Sequence, residues 1–216
     1  MRKKIIVFAG FILMTVGFSM VQCRFGGKEF HDLKSIDASL KRIVETSLFV
    51  DTIPDSHRLV LEDVHSQNNI VAIHFDSLAI EVKTNYSKGY YVFNRNFPGI
   101  QSAYAFGKTT EIYEKITDVI ITSNKNYNTQ YPAGSNLKDI ITVGQKWSSS
   151  EYRVDVSTTI DTITKNRRVD YWYESRLIYL FNTSPETEDV HEITIKYITE
   201  KNQVFTAVIK NVKILK

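Results

Sequence analysis

One cysteine, Cys23, is all the thiol chemistry in this chain of 216 residues. No internal disulfide can form, so a stable exported domain must rest on its apolar core. A thiolate metal cluster is excluded for the same reason. There are only four prolines (Pro54, Pro98, Pro132 and Pro185) and nine glycines, and no Pro-, Gly- or Ser-rich tract divides the chain into linked parts. No internal repeat is present. An excess of charge is missing as well. Of the 27 basic residues, Arg2, Lys3 and Lys4 lie in the head, so the chain from Cys23 onward carries 24 basic residues against 24 acidic ones. That balance leaves no footprint for nucleic acid and no long-range steering toward an acidic partner.

The longest feature present is apolar. Ile5 to Val21 is uncharged and mostly hydrophobic, behind the three basic residues. It falls short of the ~20 residues of a comfortable membrane span. A basic head, an apolar core and a short polar end are the parts of an export signal. Met20-Val21-Gln22-Cys23 resembles the lipid-attachment motif of bacterial lipoproteins, with Met20 in the aliphatic position and Gln22 where a small residue is usual. The resemblance implies that Cys23 becomes the first residue of the mature chain and carries acyl groups. Each buried methylene then contributes ~0.8 kcal/mol to anchoring. Residues 1–22 are accordingly read as a signal peptide, 23–29 as a lipidated tether loosened by Gly26 and Gly27, and 30–216 as a single β-rich domain. Two alternatives stay open. Cleavage after Ser19 would release a soluble secreted protein, and an uncleaved segment would be a single-span anchor.

Past the tether, period-two patterning dominates. Val71, Ile73 and Phe75 alternate with polar or small residues, and so do Leu78, Ile80 and Val82, with a change of parity at Asp76-Ser77 that predicts a bulge or sharp bend. Asn85 to Gly89 is polar and predicts the end of that unit. Short strands are also predicted at Tyr90–Phe93, Ser102–Phe106, Lys115–Ser123 and Tyr152–Val156. Leu177 to Phe181 is apolar on both faces, as a central strand would be. His191–Thr199 and Val204–Ile209 predict a hairpin, with Val212 and Ile214 continuing it. Asn124–Asn136 is a polar loop, and Ser135 or Asn136 could cap a helical turn over Leu137–Ile141. Leu33, Ile36, Leu40 and Ile43 recur at helical spacing beside strand-like neighbours, and helix and strand both remain open there. The expected class is all-β: an antiparallel β-sandwich (immunoglobulin-like) or partly open barrel, with one or two short helical turns.

Three stretches carry a family resemblance: Lys115–Ser123, the Tyr127–Leu137 loop with its Tyr-Pro-Ala-Gly-Ser core, and the closing hairpin from His191. With the signal, they resemble uncharacterised Bacteroidetes lipoproteins with β-rich ectodomains. The resemblance implies export, a place in the bacterial cell envelope at the outer membrane (periplasmic or surface face equally open), and an all-β fold. It implies no activity.

Chemistry is sparse. His31, His57, His65, His74 and His191 show no metal-ligand spacing; His57 and His65 sit among Asp55, Glu62 and Asp63 in what reads as a solvated loop. Asn124, Asn126 and Asn128 have the odd-position spacing of a calcium loop, but Thr129 and Ser135 stand where Gly and Glu are needed. Turn asparagines are the simpler reading. Glu186, Glu188 and Asp189 cluster on a loop that reads as solvated. Nucleophile elbows, phosphate loops and zinc-protease helices are absent in their usual forms, and the sequence calls for no cofactor. The most distinctive surface candidate combines Arg167, Arg168 and Arg176 with Tyr171, Trp172 and Tyr173, since aromatic faces stack on sugars and arginines hold carboxylates. Packing within a strand explains the same residues. Trp147, Tyr127 and Tyr131 either line an end of the sandwich or close over it. The expectation is a lipid-anchored envelope protein acting as a binding, adhesion or structural module, its partners the membrane and a glycan or protein. The alternative is a glycan-binding or glycan-processing accessory protein.

Overall fold

A computed structural model describes residues 28–48, 56–64, 69–90, 110–146, 151–165 and 176–216. Its strands are β1 (Lys28–Leu48), β2 (Ser56–Asp63), β3 (Val71–His74), β4 (Leu78–Tyr90), β5 (Thr110–Tyr113), β6 (Ile116–Ser123), β7 (Ile141–Lys146), β8 (Glu151–Thr159), β9 (Arg176–Phe181), β10 (Val190–Thr199) and β11 (Val204–Leu215). One short helix, α1 (Ile160–Lys165), and two 3-10 turns, Phe75–Ser77 and Lys138–Ile140, complete the described set.

The chain divides into two units, Leu33–Tyr86 with Glu114–Lys216 and Met1–Asp32 with Ser87–Tyr113. In the smaller, Lys28–His31 pair in parallel with Thr110–Tyr113, and the Ser87 hydroxyl donates to the Asp32 carbonyl at 3.3 Å. The larger is a sandwich of two sheets. One runs β2-β8-β7-β9-β4-β1, the other β3-β11-β10-β6. The all-β class and the sandwich follow the alternation, but the pairing is mixed rather than purely antiparallel, because β3 lies parallel to β11. The first sheet is not a true barrel, although β2 pairs with both β8 and the second half of β1.

The main core draws on β1, β3, β4, β6, β7, β9, β10 and β11 and includes Ile80, Ile121, Ile195, Val212 and Ile214, all fully buried. Tyr179 of β9 and Tyr197 of β10 meet there through their hydroxyls, so each phenol brought out of water has a partner. A second, smaller cluster joins Leu59, Tyr152, Val154 and Ile178, with Ile43, Leu61 and Leu180 against it. Gly144 of β7 belongs to its close packing. A Cβ there would lie 2.5 Å from Val154 Cγ2 and 2.8 Å from Ile178 Cγ1.

Several expectations are met in detail. The parity change falls on the 3-10 turn Phe75–Ser77. β9 lies between β7 and β4 and is largely buried. The hairpin turn is closed by Thr199 N–H to Gln203 O at 3.0 Å, with Asn202 left-handed at φ 60°, as asparagine tolerates. In β11, Asn211 (φ 59°) lies in the extra residue pair where register shifts between His191 and Ile193, a bulge of the left-handed kind.

Three expectations need correction or resolution. Residues 33–44 are strand throughout. Asn85–Gly89 does not end its unit but continues β4 to Tyr90; Asn85 donates to Ser35 Oγ at 3.0 Å and to Asp37 Oδ2 at 2.7 Å. The helical turn after the Asn-rich loop is a single 3-10 turn whose first N–H, on Lys138, is met by Asn136 Oδ1 at 3.2 Å. The strands expected at 91–93 and 102–106 lie outside the described residues.

Candidate functional site

β6 is an edge strand of the second sheet, and an edge offers unpaired backbone groups. The chain answers this locally. After Ser123 it turns back, and Gly134 N–H donates to Ser123 O at 2.8 Å while Leu137 N–H donates to Ile121 O at 2.8 Å. Asn136 Oδ1 accepts Ile121 N–H at 3.2 Å, and Asp118 Oδ1 accepts Val119 N–H at 2.9 Å. The return depends on a tight turn at Pro132–Ser135, closed by Ser135 N–H to Pro132 O at 3.0 Å. Gly134 takes the φ of 82° that this turn needs.

Tyr127 pins the turn-back to the following loop. Its ring is buried, stacked on Phe181 at 5.5 Å and 17°, and burial pushes its hydroxyl pKa well above the ordinary value. That hydroxyl donates to Thr183 O at 2.7 Å. Its carbonyl accepts Glu186 N–H at 2.7 Å. Tyr131 is buried too, so neither tyrosine offers an exposed stacking face. Pro185 is also buried, while Glu186, Glu188 and Asp189 are exposed, as expected of the acidic cluster. Between these two loops opens a cleft of about 370 Å³, lined by Asn124, Lys125, Asn126, Asn128, Ala133 and the Glu186, Thr187 and Asp189 side.

The three asparagines are oriented by backbone N–H groups. Asn124 Oδ1 accepts from Glu192 at 2.7 Å, and Asn126 Oδ1 from Ala133 at 2.8 Å. Asn128 Oδ1 accepts from Gln130 and Tyr131, each at 2.9 Å. The oxygens a calcium loop would use are therefore already holding the turn. Among the described residues no three His, Asp or Glu side chains converge as metal ligands.

Beneath the cleft, Ser123 Oγ lies 2.8 Å from His191 Nδ1 and also accepts Lys125 N–H at 3.1 Å. Both side chains are buried. Burial holds the imidazole below its ordinary pKa, with Asp189 opposing and Lys125 reinforcing the shift. This bond ties β6 to β10 and offers no exposed nucleophile.

No protein-family model, curated protein or solved structure matches the chain.

A second polar group lies in the first sheet. Glu81 of β4 is buried and receives Tyr152 Oη, Lys41 Nζ at 2.9 Å and Arg176 Nη1 at 3.4 Å. Lys41 also pairs with Asp63. Burial pushes the Glu81 carboxyl up, but the bonds from Tyr152 and Lys41 and the charges of Lys41 and Arg176 outweigh it, and the group sits below its ordinary value. Burial likewise opposes the Lys41 ammonium, whose pKa is nonetheless raised by its two carboxylate partners. The carboxylate is fully engaged, while Arg176 Nε is buried with no hydrogen-bond partner among the described residues.

The residues singled out from the sequence fare unequally. Cys23, Arg167, Arg168, Tyr171, Trp172 and Tyr173 lie outside the described residues, as do Trp147 and His65. His57 is half-buried in β2. His74 is exposed, with Nδ1 2.9 Å from Lys216 O. Of the arginine–aromatic stretch only its end is described, and Arg176 serves Glu81. Glu186 and Asp189 do come together with the asparagines, a pairing across sixty residues of chain that no local spacing signals.

Proposed function

We propose that the protein is a lipid-anchored component of the bacterial envelope that presents its β-sandwich as a binding module. The observation that carries this reading is Cys23, the chain's only cysteine, placed directly behind a basic and then apolar head. The likeness of Met20-Val21-Gln22-Cys23 to a lipid-attachment motif supports the same reading. So does an open cleft at one end of a disulfide-free β framework, the place where a rigid scaffold carries binding loops. Among the described residues no helix is long and apolar enough to cross a membrane. Growth of an expressing bacterium with an alkyne fatty acid tests it. Wild-type protein takes up label and Cys23→Ala takes up none; equal label in both would defeat the assignment.

A further inference from the structure

The cleft between the 124–133 turn and the 183–189 loop is small but within the roughly 300–1,000 Å³ of ligand sites. Its lining is polar where most such sites are apolar, and which polar groups remain available follows from the bonds already made. A backbone N–H can meet only the oxygen end of a side-chain amide. Asn124, Asn126 and Asn128 each spend that oxygen on a backbone N–H, so each keeps its NH2 end unspent. Those NH2 groups donate to no other described residue. With Lys125 they form the donor side of the cleft. The acceptor side is Glu186 and Asp189. Thr187 Oγ1 donates to Asp189 Oδ2 at 2.7 Å and leaves Oδ1 over.

Donors and carboxylate acceptors in one cleft discriminate by charge. An anion would meet two carboxylates. A metal cation would find the same two carboxylates, but with the Lys125 ammonium and amide hydrogens beside them and no third His, Cys, Asp or Glu converging among the described residues. A neutral hydroxyl both donates and accepts, so neighbouring hydroxyls on one ring can satisfy the two sides together. We propose that this cleft binds a neutral sugar through adjacent hydroxyl groups, with the Ala133 methyl against the ring's C–H surface. The walls are held in advance by Tyr127, through Glu186 N–H and Thr183 O, which lowers the ordering cost of binding. The proposal rests on the reading of the chain as an envelope binding module and names that module's ligand class. It places recognition at residues other than Arg167–Tyr173.

The test uses the purified full-length chain on an array of neutral and acidic glycans, followed by calorimetry with any glycan retained. Asn126→Asp keeps an oxygen for Ala133 N–H, removes the amide donor and adds a negative charge to a cleft already lined by Glu186 and Asp189. Asp189→Asn removes a charged acceptor and keeps an oxygen for Thr187. Retention of a neutral glycan is expected, with affinity at least tenfold weaker in both variants and an unchanged thermal midpoint. Should Asn126→Asp unfold, Asp189→Asn decides alone. No neutral glycan held by the intact chain, selection of acidic glycans only, or unaltered affinity in the folded variants would overturn the proposal. Any of these leaves fatty-acid labelling at Cys23 untouched, so failure here is separable from failure of the anchoring assignment.

Discussion

Glu81 and Asn126 are both polar residues fixed by the fold, and they differ in what each has left over. Every strong partner Glu81 can use is already inside the first sheet: a phenol, an ammonium and a guanidinium. Asn126 gives its oxygen to the backbone and keeps its nitrogen for something outside the chain. Desolvating a charge is costly, so buried ions persist only when paired. An amide at a loop surface bears no such cost and can stay half-used. The contrast separates polar groups that build the protein from those available to a ligand.

The largest effect that would break this contrast is expected at Glu81. Glu81→Ala strands Lys41 and Arg176 beside apolar side chains. It should cost about 3 kcal/mol, the lower end for breaking a buried pair, since Lys41 keeps Asp63. Urea unfolding measures it, and a loss under about 1 kcal/mol would show that Lys41 and Arg176 do not depend on the Glu81 carboxylate. His191 lies between the two cases. Its folded pKa is depressed below 6.5, so below about pH 6.5 the unfolded chain takes up a proton that the folded chain refuses. Stability should therefore be full above that pH and fall as pH drops toward the folded value. Wild type and His191→Asn, compared by thermal melts from pH 7.5 to 5, should show this slope in wild type and a shallower one in the variant. The smallest effect belongs to the cleft. Asn126→Asp should change stability by no more than about 0.5 kcal/mol, and a larger loss in a melt at pH 7 would put Asn126 with Glu81 as a structural residue.

Much of the sandwich was legible because one-sided strands announce themselves. Ile193, Ile195 and Tyr197 are buried in strict alternation in β10. β1 was illegible for a definite reason. Its buried positions are His31 and Leu33, then Ile36 and Leu40, so the buried parity switches between Leu33 and Ile36. It switches again before Ile43, which packs in the second cluster. Each switch places an apolar residue three positions on, which imitates a helix. The polar end of β4 was missed because its residues are satisfied by neighbours such as Ser35 and Asp37 rather than by burial. The Glu81 cluster and the cleft were hidden for a different reason. Their members come from distant segments, and only pairing of the strands brings them together.

The loop that carries three of the cleft's donors is also the cover of β6's exposed flank. Lengthening or exchanging that loop would uncover the backbone groups of Ile121 and Ser123 and invite strand-to-strand association between molecules. Variation in what the cleft accepts is thus confined to swapping side chains on a loop of fixed length and path. Ligand preference and resistance to aggregation are fastened to the same fourteen-residue stretch, roughly Asn124 to Leu137.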